Sequence, residues 1–389
     1  MLEQHELQAL HEGTLYQHRG KTRRAFFREQ TALLHHYKHI SRCRAVGFCL
    51  ICLFLIQQFT FVTSESIEPT QTEKKVAIVT LLTTSTYLPG TLVLAESLRR
   101  VNAKGEKILL WVGPEDDPRS DITPAQIAQI EKYWDRTIQL SKKNGTYTEC
   151  RISSQQKALI EQNPSLKSLD RYWGTCSKFA VWTLTEYDVV VYMDADSIAL
   201  NNFDFVFDYV GGEGQGAFAA HGVPECWDDP PQCENFYTAF MVIKPLPNVQ
   251  EYLHILAQQQ YLAEGEITLL NKVIQQWRPL PRFTLCAQTE TVRPIDGSGK
   301  IDWGKVNVYD FAGAPEAKPW VSYELSKQHK DPTWHGYFGS VPPGAPNHQR
   351  YMVPQLLWNE YYDNILQKEA TRKNRGKQEE VKQDKDREL

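Results

Sequence analysis

The chain lacks an excess of either charge sign. Forty-three Lys and Arg stand against 47 Asp and Glu, for a formal net charge of -4 over 389 residues. That balance is too even for electrostatics alone to hold the protein on nucleic acid, which excludes a dedicated DNA or RNA binder. Cysteine is sparse, 8 residues in all, so a small disulfide-built scaffold is excluded. With 41% hydrophobic residues and 23% charged ones, wholesale disorder is excluded too. One long uncharged run is apolar almost throughout.

That run is Ala45 to Ser64, with Val46, Phe48, Leu50, Ile51, Leu53, Phe54, Leu55, Ile56, Phe59, Phe61 and Val62 inside it and only Gln57 and Gln58 strongly polar. At about 1.5 Å per helical residue it spans one bilayer. Arg19, Lys21, Arg23, Arg24, Arg28, Lys38, Arg42 and Arg44 precede it, and Glu65 and Glu68 follow, which keeps the N-terminus cytosolic. More than forty residues come first, too many for a cleaved leader. The expected layout is a cytosolic basic tail (1–44), a signal anchor (45–64), a stem (65–74), a lumenal domain (75–365) and a charged, disordered tail (366–389). The terminal Asp386-Arg387-Glu388-Leu389 is a poor match to an ER-retrieval signal.

Beyond the anchor five cysteines remain, Cys150, Cys176, Cys226, Cys233 and Cys286, an odd number that leaves at least one thiol over. Cys226 and Cys233 bracket the turn-rich Trp-Asp-Asp-Pro-Pro-Gln and are the expected disulfide in an oxidising lumen. These residues have no Cys-x-x-Cys or paired His spacing, which disfavours zinc. Asn144-Gly145-Thr146 is the one acceptable glycosylation sequon, because Asn163 is followed by Pro164.

The domain opens with alternating strands and helices. Val76 to Leu82 is an apolar, β-branched run fit for a strand buried on both faces, and Pro89-Gly90 then introduces a helix with Leu94, Leu98 and Val101 at helical spacing. Lys107 to Val112 predicts a second strand and Pro124 to Trp134 a second helix. The rhythm is that of an α/β fold with a mainly parallel sheet flanked by helices. A further strand, Val189 to Met193, runs directly into Asp194-Ala195-Asp196. Ligands in open α/β sheets collect beyond the carboxyl ends of strands, so two carboxylates stand where chemistry is expected.

Two aspartates one residue apart share a face of extended chain and can reach one divalent cation, or the cation and a sugar hydroxyl. The plain alternative is a pair that only caps the following turn. An EF-hand is excluded, since Ile198 and Ala199 occupy positions needing a polar ligand and Gly. A haloacid-dehalogenase-type phosphatase also places Asp-x-Asp after a strand, but Asp296-Gly-Ser-Gly-Lys300, its candidate second acidic motif, follows no apolar strand.

The stretch Lys178 to Leu200, with Glu186-Tyr-Asp-Val-Val-Val-Tyr-Met-Asp-Ala-Asp196 at its centre, resembles the donor-binding core of glycogenin-like retaining enzymes of glycosyltransferase family 8. Tyr87-Leu-Pro-Gly-Thr-Leu-Val-Leu94, Met241-Val-Ile-Lys-Pro245, Leu269-Leu-Asn271 and Lys318-Pro-Trp320 resemble further family motifs in the same order, so the likeness spans Val76 to Trp320. It implies a single GT-A domain, a nucleotide-diphosphosugar donor, usually UDP-linked, and Mn²⁺, with Mg²⁺ as substitute. By the resemblance Asp196 ligates metal, Asp194 binds metal and ribose, Lys178 contacts the donor, Lys318 the diphosphate, and Tyr87 and Leu88 border the nucleobase.

Several residues depart from the family pattern. Glu266-Ile267-Thr268 stands where the family has Asp-Gln-Gly, keeping a carboxylate but losing the sugar-binding amide. Tyr237-Thr238-Ala239 replaces Asn-Ser-Gly and adds bulk beside the expected sugar pocket. Asp310-Phe311-Ala312-Gly313 replaces His-Phe-x-Gly, making Asp310 the expected third metal ligand, with His335 a second candidate. No tyrosine lies between Tyr261 and Tyr309, where a self-glucosylating glycogenin carries its acceptor. The expected function is a metal-dependent retaining glycosyltransferase of the Golgi membrane, or of the ER, acting on a glycan, glycoprotein or glycolipid. Glu266 is its positioning group or nucleophile. A catalytically silent nucleotide-sugar binder is the rival from another class.

Overall fold

The computed structural model describes residues 74–151, 158, 164–212, 216–222, 235–259, 265–288, 302–313, 318–329 and 348–388, all within the unit Glu73–Leu389. The expected anchor at 45–64, the stem residues before 74, Cys226, Cys233, Asp296 and His335 lie outside these residues. Among the described residues no helix is long and apolar enough to cross a membrane.

The chain alternates as expected through β1 (Val76–Leu82), α1 (Leu88–Arg100), β2 (Glu106–Val112), α2 (Pro124–Ile130) and β3 (Arg136–Leu140). The helix expected to reach Trp134 stops at Ile130. Its start is fixed by a capping box, in which Thr123 and Gln126 exchange side-chain to backbone bonds, and by Pro124 in the first turn. A run of 3-10 turns, Pro164–Thr183, leads to β4 (Val189–Met193) and the short β5 (Ser197–Ala199). β6 (Phe218–Gly222), β7 (Phe236–Ile243), α3 (Val249–Gln259), α4 (Glu266–Val273), β8 (Arg278–Pro279), β9 (Leu285–Ala287), β10 (Val308–Asp310), α5 (Pro319–His329) and α6 (His348–Glu388) complete the order.

The main sheet has strand order β3-β2-β1-β4-β7-β6-β8. β1 pairs in parallel with β2 and β4, β2 with β3 and β6 with β8, while β7 runs antiparallel between β4 and β6. This is the expected α/β arrangement with a mainly parallel sheet flanked by helices. A second sheet, β5-β10-β9, hangs from the end of β4.

Strand periodicity divides the core into two layers. Ile78, Leu82, Val189, Val191 and Met193 join α1 on one face. Ala77, Val79, Leu81, Val190 and Tyr192 join the 3-10 run and α3 and α4 on the other. Each fully buried aliphatic side chain stabilises this arrangement by about 1.5–3 kcal/mol. Both faces of β4 are covered, and its carboxyl end runs into the aspartates.

The tail expected to be disordered from 366 is instead the continuation of α6, which runs unbroken to Glu388. The sequence there has no apolar stripe, but it is rich in Lys, Glu, Gln and Arg, all good helix formers. Lys368 reaches the buried carboxylate of Glu96 on α1, and Glu369 takes bonds from Lys132 and Tyr133. Burial opposes ionisation of Glu96, but bonds from Arg99, Arg100 and Lys368 outweigh it and hold its pKa down at about 2. Farther up α6, Gln355 donates to the Pro319 carbonyl at 3.1 Å, and Trp358 packs against Trp320 and Tyr323.

Candidate active site

The site begins where β4 ends. The Asp194 N–H donates to the Ala239 carbonyl at 2.9 Å, Ser197 N–H returns to the Asp194 carbonyl at 3.0 Å, and Phe311 N–H binds the Asp196 carbonyl at 2.9 Å. The Asp-Ala-Asp segment is thus a turn pinned on one side by β7 and on the other by β10. Gly90 at the head of α1 lies under this turn, where a Cβ would come within 2.3 Å of the Ala195 carbonyl oxygen.

Each aspartate meets its own lysine. Lys178, at the end of the 3-10 run and buried, contacts Asp194 Oδ1 at 2.8 Å and Glu266 Oε1 at 2.6 Å. Tyr192 donates its hydroxyl to the same Asp194 oxygen at 2.8 Å, and Thr238 donates to Glu266 Oε1 at 2.8 Å. Burial would strip the Lys178 proton, but the Asp194 and Glu266 carboxylates outweigh it and raise the ammonium above its ordinary pKa. Asp194 is pushed up by burial, with Lys178 opposing. Lys318 forms the second pair, an ion pair with Asp196 Oδ2 and a 2.8 Å bond to the Phe311 carbonyl.

Asp310 sits at the third corner, 2% exposed. Ser197 donates to its Oδ1 and Tyr237 to its Oδ2, both at 3.2 Å. Burial, then the charges of Asp196 and Asp194, push its carboxyl well above the usual range. Tyr87 packs edge-on against Trp320 with ring centroids 5.1 Å apart, and the Lys318 ammonium lies 5.9 Å from the Tyr87 ring. Leu88 opens α1 and packs against the core beneath it.

The structure therefore brings together Lys178, Asp194 and Glu266 in one cluster and Lys318, Asp196 and Tyr87 in another, with Asp310 tied to Ser197 and Tyr237. Among the described residues no group of three or more His, Cys, Asp or Glu is arranged to hold a metal ion; Lys178 pairs with Asp194 and Lys318 with Asp196. The donor chemistry nonetheless suits a cation. Asp194, Asp196 and Asp310 offer carboxylate oxygens, the hard donors that Mn²⁺ and Mg²⁺ take, close enough in space for their charges to raise the Asp310 carboxyl.

Sequence reading missed the residues that hold this machinery in place. Among the described residues Cys150 and Cys176 form a disulfide, with Cα atoms 5.2 Å apart and Cys176 two residues ahead of Lys178. Thr175 between them lies 3.5 Å from the Cys150 sulfur and accepts the Glu266 N–H at 3.4 Å, tying the two segments that carry Lys178 and Glu266. Only Tyr192 had a local signal, since a strand puts residues 192 and 194 on one face.

No protein-family model matches the chain. Human glycogenin-1 is 25% identical over 301 residues, 75% of this chain and 73% of the relative. Human glycogenin-2 is 26% identical over 323 residues, 81% of this chain and 56% of the relative. The UDP-glucuronate:xylan alpha-glucuronosyltransferase 2 of Arabidopsis thaliana is 28% identical over 249 residues, 61% of this chain and 34% of the relative. Among solved structures, the galactosyltransferase LgtC with donor and acceptor sugar analogs aligns over 63% of this chain and 89% of its own, at 14% identity and a TM-score of 0.42, too loose to weigh in the assignment. These relatives agree with the resemblance of its ordered motifs to glycogenin-like enzymes of glycosyltransferase family 8.

Proposed function

We propose that the protein is a retaining glycosyltransferase that moves a sugar from a UDP-linked donor to a glycan, glycoprotein or glycolipid. The observation that carries this reading is that each aspartate at the end of β4 is matched with its own buried lysine. Relatives whose names are glycogenin and a UDP-glucuronate-dependent transferase support it.

Sugar transfer expels a nucleoside diphosphate, whose growing charge must meet fixed positive groups. Lys318 and Lys178 are buried, charged and already oriented by carboxylates, so they need little rearrangement to receive it. Asp194, Asp196 and Asp310 are the residues that would hold Mn²⁺ or Mg²⁺, which when bound would draw charge from the diphosphate. For that the lysines must pass from carboxylate to phosphate. Glu266 takes both of its side-chain bonds on Oε1, which leaves Oε2 to face the sugar and position or attack its anomeric carbon.

A second reading has its own observation. Tyr237 and Ser197 already engage both oxygens of Asp310, as expected of a silent nucleotide-sugar binder whose third ligand has been retired. Release of UDP from a panel of UDP-sugars in Mn²⁺, for the native chain and Asp196→Asn, decides. Turnover lost in the variant supports transfer; UDP binding without release from any donor, acceptors supplied, overturns it.

The buried Cys150 to Cys176 disulfide suits an oxidising compartment. Together with the apolar run at 45–64 it supports a Golgi-lumen catalytic domain on a single membrane anchor.

A further inference from the structure

The sequon Asn144-Gly145-Thr146 has no part in the chemistry above. It occupies a turn after β3 that is built with some care. Ser141 N–H donates to Thr146 Oγ1 at 3.0 Å, Thr146 N–H to the Ser141 carbonyl at 3.1 Å, and Gly145 N–H to the Lys142 carbonyl at 3.2 Å. Gly145 takes φ +72, a left-handed conformation that glycine adopts without strain. The turn is braced from below by Asp116, which accepts bonds from Ser141 Oγ and Lys142 N–H, and from the side by Gln250 on α3, which donates to the Gly145 carbonyl at 2.7 Å.

Within this frame the side chains of Asn144 and Thr146 meet. The Thr146 hydroxyl donates to Asn144 Oδ1 at 2.6 Å and the Thr146 N–H donates to the same oxygen at 3.1 Å. Both bonds fall on the carbonyl oxygen, so they polarise the carboxamide and leave Nδ2 as its outward nitrogen. Asn144 and Gly145 are exposed, and a Cβ built on Gly145 would meet nothing within 4 Å. A bulky polar substituent on Asn144 therefore has room, while the core begins immediately after it at Tyr147 and Thr148.

We propose that Asn144 is an N-glycosylation site, carrying one oligosaccharide on Nδ2. The proposal rests on the lumenal reading above, which the disulfide a few residues downstream at Cys150 shares. The sugar source is an oligosaccharide on a lipid diphosphate of the secretory membrane. A bond forms between Asn144 Nδ2 and the anomeric carbon, the bond from that carbon to the diphosphate oxygen breaks, one amide proton passes to a base of the attaching enzyme, and the lipid diphosphate leaves. No electron transfer is involved. The finished glycan stands off an exposed turn, where it adds solubility without displacing packed side chains.

The test is expression of the full chain in a eukaryotic secretory host, with mobility read before and after an amidase that removes N-linked glycans, and with the Cys150 and Cys176 thiols trapped and located by mass spectrometry. The expected result is one discrete mobility step, abolished by Asn144→Gln and by Thr146→Ala, retained by Thr146→Ser, and a conversion of Asn144 to Asp by the amidase. A disulfide-bonded protein with no step, or a step that survives Asn144→Gln, overturns the site while leaving the lumenal reading in place. Reduced cysteines with no step overturn both.

Discussion

Gly90 and Ala195 meet backbone to backbone: a Cβ on residue 90 would stand 2.3 Å from the Ala195 carbonyl oxygen and 2.8 Å from the Trp320 ring. The Pro-Gly that looked like a simple chain break before α1 is therefore a contact surface for the Asp-Ala-Asp turn. Gly90→Ala should gain helix propensity worth up to about 1 kcal/mol. The clash should outweigh it, for a net loss of about 1–2 kcal/mol in denaturant unfolding. Displacing both aspartates should also cut turnover on the order of 100-fold.

Lys178 is the sole cation in contact with both Asp194 and Glu266 among the described pairs. Lys178→Met leaves the buried Glu266 carboxylate facing the half-buried Asp194 and should destabilise the fold by about 3 kcal/mol, the low end for breaking a buried pair. Tyr192→Phe removes one hydrogen bond to Asp194 and should cost about 1 kcal/mol. Paired urea titrations at neutral pH check the ranking. Equal losses would mean that Lys178 is not the counter-ion.

Asp310 gives a prediction with opposite signs. Its carboxyl is held up by burial and by neighbouring negative charge, so Asp310→Asn should leave the metal-free protein as stable or slightly more stable. The same change should remove a ligand. Mn²⁺ at about 100 times its dissociation constant should stabilise the native chain by about 2.7 kcal/mol, and the variant by much less. Thermal melts with and without Mn²⁺, and after chelation, read both effects.

Glu96 sets a pH dependence. Its folded-state pKa, about 2, lies below the ordinary glutamate value, so its stabilising contribution is complete above about pH 4.5 and is lost as pH falls toward 2. The contribution is at most about 3 kcal/mol, less for solvent screening of the partly exposed Arg99, Arg100 and Lys368. Glu96→Gln should flatten the acid limb of the stability curve by that amount. Lys368→Ala should flatten it in part.

Reducing the Cys150 to Cys176 bond, which closes a sequence separation of 26, should cost about 3 kcal/mol in the loop-closure picture. Activity should fall at reductant concentrations that leave the fold intact, because Thr175 and Lys178 move with Cys176. Thr175→Val should reproduce a loss in kcat with the disulfide still formed; an unchanged kcat would assign the bridge to stability alone.

The strands, the first helix and the position of the two aspartates were legible because each depends on neighbours in sequence: an apolar β-branched run, a Pro-Gly break, a carboxylate pair at a strand end. Lys178 and Lys318 were legible only through the ordered resemblance, since a lysine by itself reads as surface. Long-range partners left no local mark. Cys150 and Cys176, Tyr237 and Asp310, and Glu96 and Lys368 are joined only by the folded chain. The C-terminal helix escaped because an absent apolar stripe was read as absent structure, although propensity and ion pairs to the body sustain it.

The brace from α6 onto α5 has a temporal meaning. Pro319, the residue after Lys318, is gripped by Gln355, and Trp320 is walled in by Trp358. A polypeptide emerging from the ribosome would display its aspartates long before the helix that steadies this lysine had been synthesised. Competence waits for α6, so chains cut before Gln355 should be inert even when every reactive side chain is present.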